Sequence, residues 1–184
     1  MAQTWRVRPD RHRKPRPPLD RERLERLALF YVGRYATTRA KLLSYLVRKI
    51  GERGWSEESE PPVGALVERF AELGYIDDQA FAAARSASLQ RRGYGARRIA
   101  HALRASGIGE EDGAAARADA IAGAWAAALR FAERKRIGPY ATAPLDRAAR
   151  ERAFAAMVRA GHQIDTVRRV LNAPPGEIPN PDSM

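Results

Sequence analysis

Eight consecutive residues near the middle of the chain carry its densest potential chemistry: Arg91-Arg92-Gly93-Tyr94-Gly95-Ala96-Arg97-Arg98. Four guanidinium groups surround one aromatic ring. Guanidinium planes bind phosphate or carboxylate bidentately, and a tyrosine can stack on a ligand or anchor an interface. The two glycines suit a turn between helices. Arg91 and Arg92 then fall in the last turn of one helix, and Arg97 and Arg98 in the first turn of the next. A helix dipole disfavours positive charge in a first turn, which points these two arginines toward something outside the fold. The plainer role for Tyr94 is to plug the junction, with solvated arginines around it. Weaker versions of the cluster occur at Arg34, Tyr35, Arg39 and Lys41, and again at Arg134, Lys135, Arg136 and Tyr140. Three equivalent basic turns would form a stripe, which suits a long polymeric partner better than a small ligand.

The remaining chemistry favours binding over catalysis. The chain has no cysteine, which removes disulfides, thiolate metal sites and cysteine nucleophiles together. It has no Gly-rich loop ending in Lys-Ser or Lys-Thr and no Gly-x-Ser-x-Gly elbow. His12, His101 and His162 are scattered, without metal-ligand spacing. The adjacent Asp77 and Asp78 follow a Gly-terminated helix and precede an apolar-periodic one, so capping explains them better than an acid–base pair. No enzyme, cofactor or small-molecule substrate is expected. No apolar run approaches membrane-spanning length, and prolines rather than an apolar segment follow the basic start, so the expected compartment is the cytoplasm. The formal charge of +11, with a pI near 10.7, attracts polyanions, although a coding bias toward Arg accounts for part of it.

Helices must position these residues. The composition is rich in Ala, Leu and Arg and poor in β-branched residues, with no alternating stretch, so the fold is expected to be all-α. Residues 1–20 read as a disordered, basic, Pro-rich arm bearing Arg6, Arg8, Arg11, Arg13, Lys14 and Arg16. From Leu24 a helical period begins, and three rounds of helix–turn–helix–helix follow, over 21–76, 77–120 and 121–172. Thr37 or Thr38, Asp77 or Asp78, and Asp146 are candidate caps. Gly51 with Gly54, and later Gly138-Pro139, are expected helix ends. Ala84 is placed inward with Phe81 and Leu89, and the third round opens on Ile121, Trp125, Ala128 and Leu129. A recurring form supports the repeat: Phe70 to Gly74-Tyr75, Leu103 to Gly107-Ile108, and Met157 to Gly161-His162. Each reads as a helix ended by a left-handed glycine, with the next side chain folded back. Such units bury their faces against neighbours, giving an elongated, curved array of three tandem three-helix repeats. Residues 173–184 read as a disordered tail.

Two of these stretches carry a family likeness. Leu73-Gly74-Tyr75-Ile76-Asp77-Asp78-Gln79-Ala80-Phe81-Ala82 resembles the link into the second repeat of the RecX regulatory proteins. Arg91 to Ile99, followed by Leu103 and Gly107-Ile108, resembles that family's central signature. The resemblance is specific over 73–108 and looser over 24–172. It implies a regulator without catalytic residues that lies in the groove of the RecA filament on single-stranded DNA. Family members generally inhibit strand exchange, ATP hydrolysis and coprotease activity. The basic N-terminal arm and the Gly138–Pro144 loop depart from the family pattern. A different class of protein also accommodates the charge: a direct binder of single- or double-stranded DNA using helix–turn–helix units and the basic arm. A monomer with no membrane contact is expected in either case.

Overall fold

A computed structural model describes residues 17–180. They form α1 (Arg21–Arg34), α2 (Arg39–Arg53), α3 (Val63–Glu72), α4 (Asp78–Arg91), α5 (Ala96–Arg104), α6 (Ala114–Ala122) and α7 (Ala124–Lys135). A 3₁₀ turn at Gly138–Tyr140 then leads to α8 (Arg147–Arg159) and α9 (Ile164–Asn172). Among the described residues the only β pairing is one bridge, Leu19 with Trp55. The fold is all-helical, as the composition predicts.

Local chemistry explains where the helices start and stop. Asp20, Thr38, Asp77 and Asp146 each accept, through the side chain, the otherwise unpaired N–H three residues on. At the C-termini, Gly74, Gly93, Gly107 and Gly161 take φ of 76°, 74°, 75° and 92°. The residue after each glycine then donates its N–H five residues back: Tyr75 to Phe70, Tyr94 to Leu89, Ile108 to Leu103 and His162 to Met157. The glycine-ended form read in the sequence is therefore a recurring Schellman ending. Its folded-back side chain is buried at Ile108 and His162.

Several expectations need correction. The helix expected to begin near Ile121 begins at Ala124, because Gly123 breaks the chain there; Ile121 lies in the last turn of α6 and is 63% exposed. Gly51 lies within α2, and Gly54 alone ends it. The helix α7 ends before Gly138, at Arg136, which takes the left-handed conformation itself. On α4 the buried positions are Asp78, Ala82, Ser86 and Leu89, while Ala84 is exposed. Most of the expected basic arm, residues 1–16, lies outside the described residues. Its end is ordered: Leu19 is fully buried, donates to the Gly54 carbonyl at 3.0 Å and accepts from Ser56 N–H at 2.9 Å. Residues 173–180 form no helix, yet Gly176 N–H donates to the Pro139 carbonyl at 2.8 Å, so the tail expected to be disordered is tied down at that point. Residues 181–184 lie outside the described part.

The buried residues form three clusters. Leu24, Leu42, Leu46, Val67 and Phe70 centre the first, with Leu19 added from the N-terminal segment. Ile99, Leu103 and Ile108 centre the second, with Ala82, Ala116 and Ala120. Met157, Phe131, Val167, Val170 and Leu171 centre the third. Each large aliphatic side chain contributes about 1.5–3 kcal/mol when fully buried. The second cluster is alanine-rich, which lets α4 and α6 approach closely enough for the buried Ser86 hydroxyl to donate to the Ala116 carbonyl at 3.0 Å.

The clusters are coupled through a joint that occurs twice. The start of a middle helix in one unit abuts the Schellman ending of the middle helix in the next. At the first joint, the Thr38 hydroxyl at the start of α2 donates to the Ser106 carbonyl after α5 at 2.7 Å. At the second, Gly95 N–H donates to the Ala160 carbonyl at 2.9 Å, and Arg97 N–H to Gly161 at 3.2 Å. At the second joint the orphan donors of one helix start are thus satisfied by the orphan acceptors of another helix end. This approach leaves no room for side chains. A Cβ on Gly95 would lie 2.3 Å from the Gly161 carbonyl oxygen, although φ there is an ordinary −79°. Gly95 is required by space, not by turn geometry. We expect Gly95→Ala to lower stability by about 1–3 kcal/mol through overpacking. Gly51→Ala, with open space around it inside α2, should raise stability by about 0.5–1 kcal/mol. Urea midpoints of the two variants check the contrast, and equal shifts would refute it.

Candidate functional site

The basic turns sit on these joints. Arg91 closes α4, Arg92 caps it, and Arg97 and Arg98 lie in the first turn of α5 with their side chains exposed. Tyr94 is half-buried and packs against both the second and the third clusters. The Arg92 and Arg98 guanidiniums lie 5.4 and 5.8 Å from its ring centroid. Tyr94 therefore plugs the joint, and the two cations cover the face it leaves to solvent. The C-terminal end of α8 abuts the start of α5, so its negative dipole end offsets the placement of Arg97 and Arg98. Their position in a first turn is a consequence of the joint and is not by itself a sign of an external ligand.

The third turn meets the second directly. Arg134 donates to the Arg92 carbonyl at 2.5 Å, and its guanidinium lies 5.6 Å from the Phe131 ring. Arg130 donates to the Gln90 carbonyl at 3.1 Å. Arg134 is thus engaged in tying α7 to the end of α4. Lys135 and Arg136 stay exposed, and Tyr140 is half-buried in the third cluster. Arg136 holds φ at 53°, where a side chain costs about 1–2 kcal/mol relative to glycine.

The first-turn residues are divided. Arg34 lies 5.9 Å from the exposed Tyr35 ring at the end of α1. Arg39 faces α4 instead: its backbone N–H donates to Asp78 at 3.1 Å and its guanidinium pairs with Asp78 at 3.4 Å, with Glu68 and Asp112 nearby. Asp78 is 5% exposed, so this pair is the charged component of the first joint. Asp77 is the cap of α4 and Asp78 the joint partner, a division the sequence could not make. Lys41 sits 4.5 Å over the Phe81 ring. Burial, and then the charge of Arg85, holds its pKa below the usual lysine value.

His162 is the residue whose importance the sequence concealed. It is 2% exposed, meets Phe131 edge-on with centroids 5.5 Å apart, and lies 3.1 Å from the Gly93 carbonyl through Nε2. A carbonyl only accepts, so Nε2 carries the proton. Its place after Gly161, matching Ile108 after Gly107, is the signal that could have found it. Burial pushes its pKa below the ordinary value, only partly opposed by the Gly93 carbonyl. His101 is exposed on α5, and His12 lies outside the described residues. The described residues contain no group of three or more His, Cys, Asp or Glu that could hold a metal, and no helix long and apolar enough to cross a membrane.

An all-helical molecule whose three clusters are coupled by a recurring glycine joint is a helical-repeat protein. A family model described as the second three-helix domain of RecX matches residues 77–116. Regulatory protein RecX of Myxococcus xanthus (strain DK1622) is 35% identical over 178 residues, 91% of each chain. The chain belongs to the RecX family. The crystal structure of RecX from Lactobacillus salivarius superposes with a TM-score of 0.63 at 14% identity, covering 82% of this chain and 94% of that one. A second RecX crystal structure gives 0.62 at 19% identity, over 83% and 71%. Both show the same fold.

Two outcomes follow from the joint. A neutral buried His162 binds a proton less readily than an unfolded one, so its contribution is complete above its ordinary pKa near 6.5 and is lost as pH falls below it. Between about pH 7.5 and pH 5.5 the urea midpoint of the wild type should fall more than that of His162→Gln. Parallel pH profiles would show that the imidazole does not titrate with folding. Arg136→Gly should raise stability by about 1 kcal/mol by relieving the left-handed side chain. An unchanged or lower midpoint would contradict this.

Proposed function

We propose that the chain binds the RecA recombinase filament on single-stranded DNA in the cytoplasm and restrains strand exchange, ATP hydrolysis and coprotease activity, by binding and not by catalysis. The observation that carries this is the 35% identity to a regulatory RecX protein across 91% of both chains. The turns supply a physical means. Arg91, Arg92, Arg97, Arg98, Lys135 and Arg136 are exposed on two turns that the Arg134 bond to Arg92 brings side by side. A cluster of this kind matches acidic protein surface or phosphate at neighbouring points on a filament. Tyr94, Arg39 and Arg134 act on the same contact indirectly, by fixing the joints. Arg34, Tyr35 and Lys41 lie toward the first joint and extend the contact.

The test is RecA ATPase activity on single-stranded DNA, with the wild type and an Arg97→Glu, Arg98→Glu double variant. Both side chains are exposed, and the Arg97 backbone bond survives the change. The wild type should inhibit at substoichiometric dose, and the variant should need at least about tenfold more protein, as expected for reversing two interface charges. A wild type without effect at any dose would overturn the proposal. Equal potency of the two proteins would remove Arg97 and Arg98 from the contact.

A further inference from the structure

The chain's lysines are Lys14, Lys41, Lys49 and Lys135, and one of them has the setting of a nucleophile. Lys135 is exposed at the end of α7, and Lys49 is ion-paired with Glu52 three residues on. Lys14 lies outside the described residues. Lys41 is half-buried at the first joint, with its ammonium 4.5 Å over the Phe81 ring. Among the described residues no carboxylate pairs with it. Burial, and then the charge of Arg85, favours its neutral form. A lysine desolvated beside another cation is one of the standard ways to make a reactive free amine.

Lys41 lines two open clefts. The larger, of about 680 Å³, lies between α2 and α4. On one wall stands Arg85, exposed and without an ion pair or side-chain hydrogen bond among the described residues. Thr37 also lines this cleft; it is 7% exposed, and its hydroxyl has no hydrogen-bond partner among the described residues. Buried hydroxyls are seldom left so, and this one is a donor awaiting an acceptor. The one carboxylate in the lining, Asp77, is already engaged as the cap of α4. Phe81, Ala80 and Ala84 supply an apolar side. The smaller cleft, of about 540 Å³, adds Arg48 and Arg104 and no carboxylate. A small anion is therefore favoured next to the amine, with apolar surface beside it.

We infer that Lys41 is a modification site, acylated by small acyl phosphates whose phosphate is held by Arg85 and the Thr37 hydroxyl. A guanidinium without a partner takes phosphate bidentately, and holding the reagent beside the amine raises the rate by proximity. In the step, the free Nζ attacks the acyl carbonyl carbon and the N–C bond forms. The bond from that carbon to the phosphate oxygen breaks, and phosphate leaves with its electron pair. The proton shed by the nitrogen ends on the departing phosphate, so nothing is oxidised or reduced. An acylating group without phosphate would find the amine but leave Arg85 and Thr37 unused. The product is an uncharged amide, which removes a positive charge from the first joint, together with the repulsion from Arg85 and the attraction to the Phe81 ring.

The full chain incubated with acetyl phosphate at neutral pH, with acetylation followed at each lysine by mass spectrometry, tests it. Lys41 should be acetylated at least about threefold faster than Lys49 or Lys135, through its free amine and the phosphate held nearby. Arg85→Gln, at an exposed position, should slow Lys41 at least about threefold with acetyl phosphate but less than about twofold with acetic anhydride, which carries no phosphate. In concentrated urea the lysines should react at rates within about twofold of one another, as unperturbed amines do. Lys49 or Lys135 keeping pace with Lys41 in the folded chain would overturn the site. So would a preference for Lys41 that persists in urea, or equal losses with the two reagents on Arg85→Gln. Every readout is taken on the isolated chain, so the RecA proposal stands or falls separately.

Discussion

The structure depends on two helix ends meeting with no side chain between them. At Gly95 and Gly161 the backbone of α5 lies against the backbone turn that ends α8, and two hydrogen bonds close the gap. A group as small as a methyl at either position would collide with main-chain atoms that cannot rotate away. Because the approach is so close, it fixes the register of the second unit on the third. That register carries His162 under the Gly93 carbonyl, seats Tyr94 between two cores and brings Arg134 to the carbonyl of Arg92. The exposed arginines are held in place by contacts in which their own guanidiniums take little part.

The two joints solve the same geometric problem with different materials. The second uses main-chain donors and a buried imidazole. The first uses a hydroxyl, Thr38, and a charged pair, Arg39 with the buried Asp78. Removing Arg39 would leave the buried Asp78 carboxylate without its charged partner, so the first joint depends on its side chains as the second depends on its glycines. It differs in what it leaves behind. A joint made of small groups and one ion pair keeps open clefts on either side of Lys41, whereas the second joint is filled by Tyr94, Phe131 and His162.

Much of the architecture was legible in the sequence because helices announce themselves through caps and glycines. Thr38, Asp77 and Asp146 cap as their residue types predict, and Gly74, Gly107 and Gly161 end helices in one shared form. The boundary at Gly123 was hidden because alanines flank it on both sides, so no apolar period marks where α6 stops and α7 starts. Arg136 was invisible as a helix end because side chains seldom adopt that conformation. At the site, the sequence brought the right residues into view but could not divide them. Arg39, Arg97 and Arg134 look alike on paper. Only three-dimensional neighbours show that Arg39 is matched by Asp78, Arg134 by a carbonyl, and Arg97 by neither through its side chain. Arg85 and Arg104 escaped notice because they lie on different helices, 19 positions apart, and only the fold brings each to a cleft beside Lys41.

Leu19 gives the molecule an end. At the close of α2 the Gly54 carbonyl accepts a main-chain bond, as the Ala160 carbonyl does after α8. Ala160 receives the start of a preceding middle helix. Gly54 receives the chain's own Leu19, and Arg53 clasps the neighbouring Pro17 carbonyl. The segment ahead of α1 is thereby strapped across the end of α2, and the first core closes over Leu19 as over one of its own helix residues.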